Sequence, residues 1–401
     1  MGEGTVTKLS VVQFGKGAYI IVEGKSGAGH FYIIRTGKVQ ILKTTEIVQE
    51  QDGGILGPGD FFGVISSMAS QRRIETARAL TDVSLIMVPK EEYVHLIKNN
   101  KQVPMKIISS FARRMRHLDD ALAKLTTKHA TDTDITHIYS IAQYYLKQKQ
   151  YNQAYYALYQ YIRLCSHDIH IDKAKQELES IKPHAKAVYL DSDTNIEFNR
   201  KYPKDTVIFL EMMRGSEMYI IQQGSVKITK VSNDNEIMLA LLRTGDIFGE
   251  MALIDQKPRS ASAITFEDSV LLAVNRINFE RIVDTQPQVI ARLTVLLAER
   301  IWVLYRQLAN TTIVNKLGRL YDALLVQLEK DHVALVPGQA YTLGFGPQEL
   351  INWVGVPLSE GDLLIRELLN DRSVNVIEGK IYISNVEEVY KQAQYYRKMQ
   401  K

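Results

Sequence analysis

The chain has one cysteine, Cys165, in 401 residues. An intrachain disulfide is therefore impossible, and so is a zinc site built on paired cysteines. A lone thiol suits a reducing compartment. No apolar run reaches the roughly 18 residues that a membrane helix needs, and the start lacks a charged-then-apolar leader. Charge of one sign is also missing: Lys+Arg 49 against Asp+Glu 45 leaves +4, too little to imply a polyanion partner from bulk charge. The nine histidines form no His-x-His pair for a metal-holding barrel. There is no Walker loop, nucleophile elbow or carboxylate pair at catalytic spacing, so catalysis is not expected. With 45% apolar and 23% charged residues, the chain reads as a globular, cytoplasmic, non-enzymatic protein of several domains.

What is present is a repeat. Residues 31–43, FYIIRTGKVQILK, return as 218–230, MYIIQQGSVKITK, and 57–63, GPGDFFG, return as 243–249, RTGDIFG. Gly37 to Gly224 is 187 residues and Gly63 to Gly249 is 186, so the spacing holds within one residue. Each copy opens with short runs rich in Val, Ile, Tyr and Phe, punctuated by Gly or Asp, which predicts an antiparallel, hairpin-rich sheet. Each closes with a helical period. Ile108, Phe111, Met115, Leu118, Leu122 and Leu125 make one apolar seam, and Ile290, Leu293, Leu297, Ile301, Leu304 and Leu308 make the other. Such a seam either pairs with another helix or packs on its own sheet. The first alternative would join helices 105–125 and 288–309, as an intramolecular pseudo-dimer or between two chains.

Between the copies, residues 134–181 carry tyrosines at 139, 144, 145, 151, 155, 156, 159 and 161 on helix-length segments free of Gly and Pro. Ile141-Ala142, Tyr145, Tyr151, Ala154 and Leu158 fall where a tetratricopeptide repeat places its packing residues, and the segment resembles one. A single such hairpin cannot bury its own face and must dock on a neighbour. His167 and His170 lack an acidic or Cys partner at ligand spacing and read as a surface pair, not a metal site.

The chemistry concentrates in 245–263, GDIFGEMALIDQKPRSASA. A strand ends at Gly245-Asp246, Phe248 is buried, and Gly249 turns the chain into a helix beginning at Glu250. Free N–H groups at such a start favour an anion. Arg259 offers a fork for phosphate oxygens and Ser260 a hydroxyl donor. Glu250 must face a neutral donor, such as a sugar hydroxyl. Anion donors beside a hydroxyl acceptor describe a sugar-phosphate site.

On those residues the segment resembles the phosphate-binding cassette of cyclic-nucleotide-binding domains. Phe248, Gly249, Glu250, Ala252, Pro258, Arg259, Ser260 and Ala261 fit its pattern, and Gly215, Gly224 and Gly245-Asp246 match its turn glycines. The resemblance implies that Glu250 binds the ribose 2′-hydroxyl. It implies that Arg259, Ser260 and the amides of Glu250, Met251 and Ala252 bind the cyclic phosphate. Gly249 is the turn into that helix, and the resemblance implies that the lid helix closes over the base; there Leu304 and Tyr305 stand in place of the family's small hydroxyl residues, and Tyr305 either meets the purine or packs in the seam. The ligand would be cyclic AMP or cyclic GMP, without a cofactor or metal. In the first copy Val64 stands at the glutamate position, Arg73 at the arginine and Ile74 at the hydroxyl, while Glu75 adds a negative charge. That copy is expected not to bind cyclic nucleotide. The basic run Arg113-Arg114-Met115-Arg116-His117, with Lys124 and Lys128, reads as a solvated helix face or as a contact for an acidic partner or nucleic acid.

Pro287-Gln288, Arg292-Leu293, Ala298, Arg300, Gly318-Arg319 and Gln348-Glu349-Leu350 to Val354-Gly355 extend the likeness to the bacterial cyclic AMP receptor protein (CRP/FNR) family, and 346–383 resembles a winged helix-turn-helix. In that family an Arg-Glu pair and a later Arg read DNA. Here those positions are Leu358, Ser359 and Leu363. Residues 346–372 hold two basic and five acidic side chains, net −3, whereas a duplex reader shows a basic face. The helix therefore reads as a protein-contact module, with DNA binding as the alternative.

The expected class is α+β and multidomain: two jelly-roll-like β-rolls, a tetratricopeptide-like helical linker and a winged helix-turn-helix. The expected segments are 1–126, 127–186, 187–310 and 311–401. The expected function is a cyclic-nucleotide sensor that moves its C-terminal module, signalling through protein contacts or, alternatively, as a DNA-binding regulator.

Overall fold

The short β-branched and aromatic runs form strands, some alternating in burial, as Asn199–Tyr202, and some buried throughout, as Ser262–Thr265, and the two repeats arrange them in the same order. The computed structural model describes residues 9–26, 29–43, 54–99, 102–127, 135–185, 199–232, 235–251 and 257–399. Ala252 and Lys128 lie outside the described residues. In the first roll one antiparallel sheet runs Ser10–Phe14, Val83–Pro89, His30–Thr36, Phe61–Phe62. The other runs Tyr19–Ile21, Thr76–Ala79, Val39–Leu42, Ile55–Leu56. In the second roll the corresponding sheets run Asn199–Tyr202, Ser269–Asn275, Glu217–Gln223, Ile247–Phe248 and Val207–Phe209, Ser262–Thr265, Ser225–Ser232, Asn235–Arg243.

The repeat extends to packing. Tyr32 pairs with Phe62 across one sheet and Tyr219 with Phe248 across its counterpart. Each pair stacks at 5.2 Å between ring centroids, tilted by 22° and 20°. Ile34, Val39, Phe62, Ala77 and Leu85 sit at the centre of the first roll's core. Gly224 shows why the turn glycines recur: its φ is +82°, and a Cβ there would lie 2.2 Å from the Asp268 carbonyl oxygen.

The chain forms two compact units, residues 1–118 with 277–305 and residues 119–276 with 306–401. The closing helix Gln102–Thr127, which begins in the first unit, tolerates Pro104 in its opening turn, where an N–H has no intrahelical partner anyway. Helix Pro287–Thr311 starts on a proline for the same reason. Both seams are buried inside one chain: Ile108, Phe111, Met115, Leu118 and Leu122 are at most 2% exposed, and the six side chains of the second seam at most 3%. Leu125, the last position of the expected first seam, is instead 47% exposed. Tyr93 Oη and Thr294 Oγ1 lie 3.1 Å apart, so helix Pro287–Thr311 meets first-roll residues directly.

In the second unit, helices His137–Lys147, Tyr151–Leu164 and Ile171–Ile181 follow the Gly- and Pro-free run. Ile141, Ala142, Tyr145, Ala154 and Leu158 are fully buried. The docking that such a hairpin requires is on the second roll: one apolar cluster joins these side chains to Val207, Leu210, Met213, Val231 and Ile264. Burying one such side chain contributes about 1.5–3 kcal/mol. His170 stacks on Tyr139 at 4.8 Å, which gives that histidine a packing role.

The C-terminal segment holds helix Lys316–Lys330, helix Pro347–Val354, helix Leu358–Leu369 and helix Val386–Lys398 around a three-stranded sheet ordered Tyr341–Thr342, Lys380–Ile383, Val374–Ile377. Glu349 Oε2 accepts from the Gly346 amide at 3.0 Å and Gly355, at φ +65°, ends the helix between them. Among the described residues no helix is long and apolar enough to cross a membrane.

Candidate functional site

Strand Ile247–Phe248 delivers Gly249 at φ +77°, a left-handed position, and the chain enters helix at Glu250. Glu250 is 1% exposed, Met251 6% and Arg259 5%. The guanidinium of Arg259 is fixed by backbone: Nη1 donates to the Gly249 carbonyl at 2.6 Å and Nη2 to the Glu217 carbonyl at 2.6 Å. Its flat face lies 4.0 Å from the centre of the Phe209 ring. Arg259 Nε meets no acceptor among the described residues. That N–H is buried, with Gly215 packed against it. Burial pulls the Arg259 pKa below its ordinary value, opposed by Tyr219, Glu250 and Glu217. The group still carries its charge at neutral pH, in a setting where an anion would be held strongly. Ser260 Oγ completes the donors, 3.6 Å from Met251 Sδ.

The first roll builds the same frame around Arg73. Its Nη1 donates to the Gly63 carbonyl at 3.0 Å and its Nη2 to the His30 carbonyl at 2.9 Å, at the same repeat spacing. Carbonyl clamping of the arginine is thus common to both copies and does not distinguish them. What differs is the side chains around the turn glycine. Val64 replaces the acid, and Glu75 accepts from the Gly63 amide through Oε1 at 2.9 Å. Glu75 Oε2 lies 3.8 Å from Arg114 of the closing helix. A carboxylate of the chain itself holds the amide that opens the cassette.

The Cyclic nucleotide-binding domain profile matches residues 11–100 and again residues 199–286. The chain carries two cyclic nucleotide-binding domains. Among curated relatives, the Cyclic AMP receptor protein of Thermus thermophilus is 38% identical over 103 residues, covering 25% of this chain and 48% of its own. The cAMP-dependent protein kinase regulatory subunit of Aspergillus fumigatus is 32% identical over 115 residues, 29% of this chain and 26% of its own. These matches span half or less of each relative. Among solved structures, a CRP/FNR-family transcriptional regulator from Thermus thermophilus aligns with 49% of this chain and 98% of its own, at 22% identity and a TM-score of 0.39.

In the second cyclic nucleotide-binding domain, the structure brings Gly249, Glu250, Met251, Arg259 and Ser260 together, while Ala252 lies outside the described residues. Tyr305 is engaged by the first domain. Its hydroxyl lies 2.8 Å from Lys43 Nζ, and Lys43 and Arg114 stand 4.5 and 5.5 Å from its ring centre. The first domain keeps a cavity of about 340 Å³, lined by Gly63, Val64, Glu75, Arg113, Arg114 and Tyr305 among others. Arg114 therefore faces Glu75 and Tyr305 within the chain.

Sequence reading missed two residues at these sites, Phe209 and Asp119, and the contact made by a third, Glu75. Phe209 gave no signal, since its register against Arg259 is a tertiary matter. Glu75 was visible as a charge, but not as the partner of the Gly63 amide. Asp119 follows the seam residue Leu118 and carried no motif. Ser260 Oγ donates to Asp119 Oδ2 at 3.5 Å, and Asp119 is 3% exposed. On helix Leu358–Leu369, Ser359, Glu360, Asp362, Leu363, Arg366 and Glu367 are exposed, Leu363 by 72%. Glu360 pairs with Lys316. The open face is acidic and apolar.

Proposed function

We propose that this protein is a cyclic-nucleotide-responsive regulator, a binding protein without catalysis, in which the second domain binds cyclic AMP or cyclic GMP. The observation that carries this reading is Arg259. It is a buried cation held by two carbonyls, with one N–H unused among the described residues, beside Ser260 and the helix start at Glu250. In this reading the cyclic phosphate takes Arg259, the Ser260 hydroxyl and the amides at 250–252. Glu250 accepts from the ribose hydroxyl. Each charge-assisted hydrogen bond contributes about 1.5–3 kcal/mol, so losing Arg259 costs roughly two decades of affinity.

The first domain acts as a structural copy whose anion position is filled by Glu75. The 311–401 segment, in this reading a winged helix-turn-helix, signals through protein contacts. The exposed acidic and apolar face of helix Leu358–Leu369 supports that over duplex reading. A ligand moves the C-terminal module only by its differential affinity for two states.

Calorimetric titration of the intact protein with cyclic AMP and cyclic GMP tests the site, with Arg259→Leu and Arg73→Leu alongside. One saturable site, lost in Arg259→Leu and kept in Arg73→Leu, is expected. Absence of binding by wild type for both nucleotides refutes the sensor reading. Duplex binding that is nucleotide-dependent, sequence-selective and steeply salt-dependent would replace protein contact with transcriptional regulation.

A further inference from the structure

Helix Gln102–Thr127 closes the first repeat, yet its later turns belong to the surroundings of the second cassette. Two consecutive acids do this. Asp120 Oδ1 accepts from Lys230 Nζ at 2.7 Å, and Lys230, on strand Ser225–Ser232, is only 5% exposed. Asp119 accepts from Ser260, the hydroxyl that the proposed phosphate would need. A carboxylate and a phosphate cannot share one hydroxyl donor, because they are like charges competing for the same proton.

The first domain shows what a permanent occupant looks like. Glu75 arises within the cassette itself and is pinned by the Gly63 amide at 2.9 Å. Asp119 arrives from a helix outside the second roll, and its contact with Ser260 is long, at 3.5 Å. One carboxylate is built into its cassette, and the other reaches its cassette from a separate helix, near the buried Lys230 ammonium.

We propose that Asp119 is an internal competitor for the cyclic phosphate: ligand entry at Ser260 expels the Asp119 carboxylate, so occupancy of the second domain is linked to the position of helix Gln102–Thr127. The inference rests on the reading that this domain binds a cyclic nucleotide. It adds a route of regulation, since the helix that yields to ligand belongs to the first repeat. By linkage, whatever holds that helix in place weakens ligand binding by the same factor.

Two measurements on the full chain test it. Calorimetry with cyclic AMP and cyclic GMP on wild type, Asp119→Asn and Asp119→Ala should show affinity rising about tenfold or more in both variants, within the usual range of coupling between sites. Hydrogen exchange on the wild type needs no variant to fold. Amides of 119–127 should exchange faster on adding saturating nucleotide. Wild type and both variants binding with equal affinity would overturn the competitor role. Nucleotide binding with unchanged exchange in 119–127 would overturn the linkage to the helix. Binding by neither wild type nor variants would retire the nucleotide reading and this inference with it.

Discussion

Gly215 packs against Arg259 more closely than any side chain would allow: a Cβ on Gly215 would lie 2.3 Å from both Cζ and Nε of the guanidinium. Its backbone is not in the left-handed region, so the glycine serves close approach and not a turn. Gly215→Ala must push the guanidinium off its two carbonyls or distort the loop. We expect cyclic-nucleotide affinity to fall about tenfold or more, with an overpacking cost of about 1–3 kcal/mol. Calorimetry and thermal melting check this. Wild-type affinity in the variant would show that the position of Arg259 does not set binding.

The burial of both helical seams within one chain predicts a monomer. Sedimentation equilibrium should return 45.6 kDa. With Ile108, Phe111, Ile290 and Ile301 all within 2% of full burial, little seam surface remains for a second copy. A stable species of twice the chain mass would contradict this arrangement.

His30 gives the first domain a pH dependence with a definite sign. Burial, reinforced by the Arg73 guanidinium, holds its imidazole below the ordinary 6.5. As pH falls through 6.5, the unfolded chain takes up a proton that the folded chain refuses, so acid favours unfolding. Above that window both states are neutral and the term vanishes. The thermal midpoint should therefore drop between about pH 7.5 and 5.5, and His30→Gln should flatten part of that drop. An identical pH profile in the variant would remove His30 from the account.

Glu236 ties three segments of the second unit together. It is 4% exposed and lies within 3.3 Å of Tyr145 Oη, 3.0 Å of Lys227 Nζ and 3.3 Å of Asn352 Nδ2. Its burial partner Tyr145 has its hydroxyl pKa pushed well above the ordinary value by burial and by this carboxylate. Glu236→Ala strands the Lys227 ammonium, which is 14% exposed. Stranding a buried partner costs about 3–5 kcal/mol, and the partial hydration of Lys227 points to the lower end. Urea denaturation measures the loss, and a change below about 0.5 kcal/mol would show that water replaces the pair.

The repeat, the strand runs and the cassette were legible because they are local. A period of two marks a strand, glycines at fixed spacing mark its turns, and Arg259 and Ser260 are neighbours in the chain. The placement of Tyr305 was not, because a ring at the end of a long helix takes its partners from whichever strands that helix packs on. The seams were legible as apolar stripes, but their spacing was equally consistent with pairing inside one chain or between two.

The sequence by itself therefore determined the duplication, the class of its domains and the chemical difference between Glu250 and Val64, since residue type and spacing along the chain carry all three. Only tertiary structure decided which carboxylate meets which cassette. Glu75 and Gly63 are 12 residues apart, but Asp119 and Ser260 are separated by 141. A contact across that distance is fixed by how a helix and a roll share their apolar surfaces, and no local pattern of side chains encodes it.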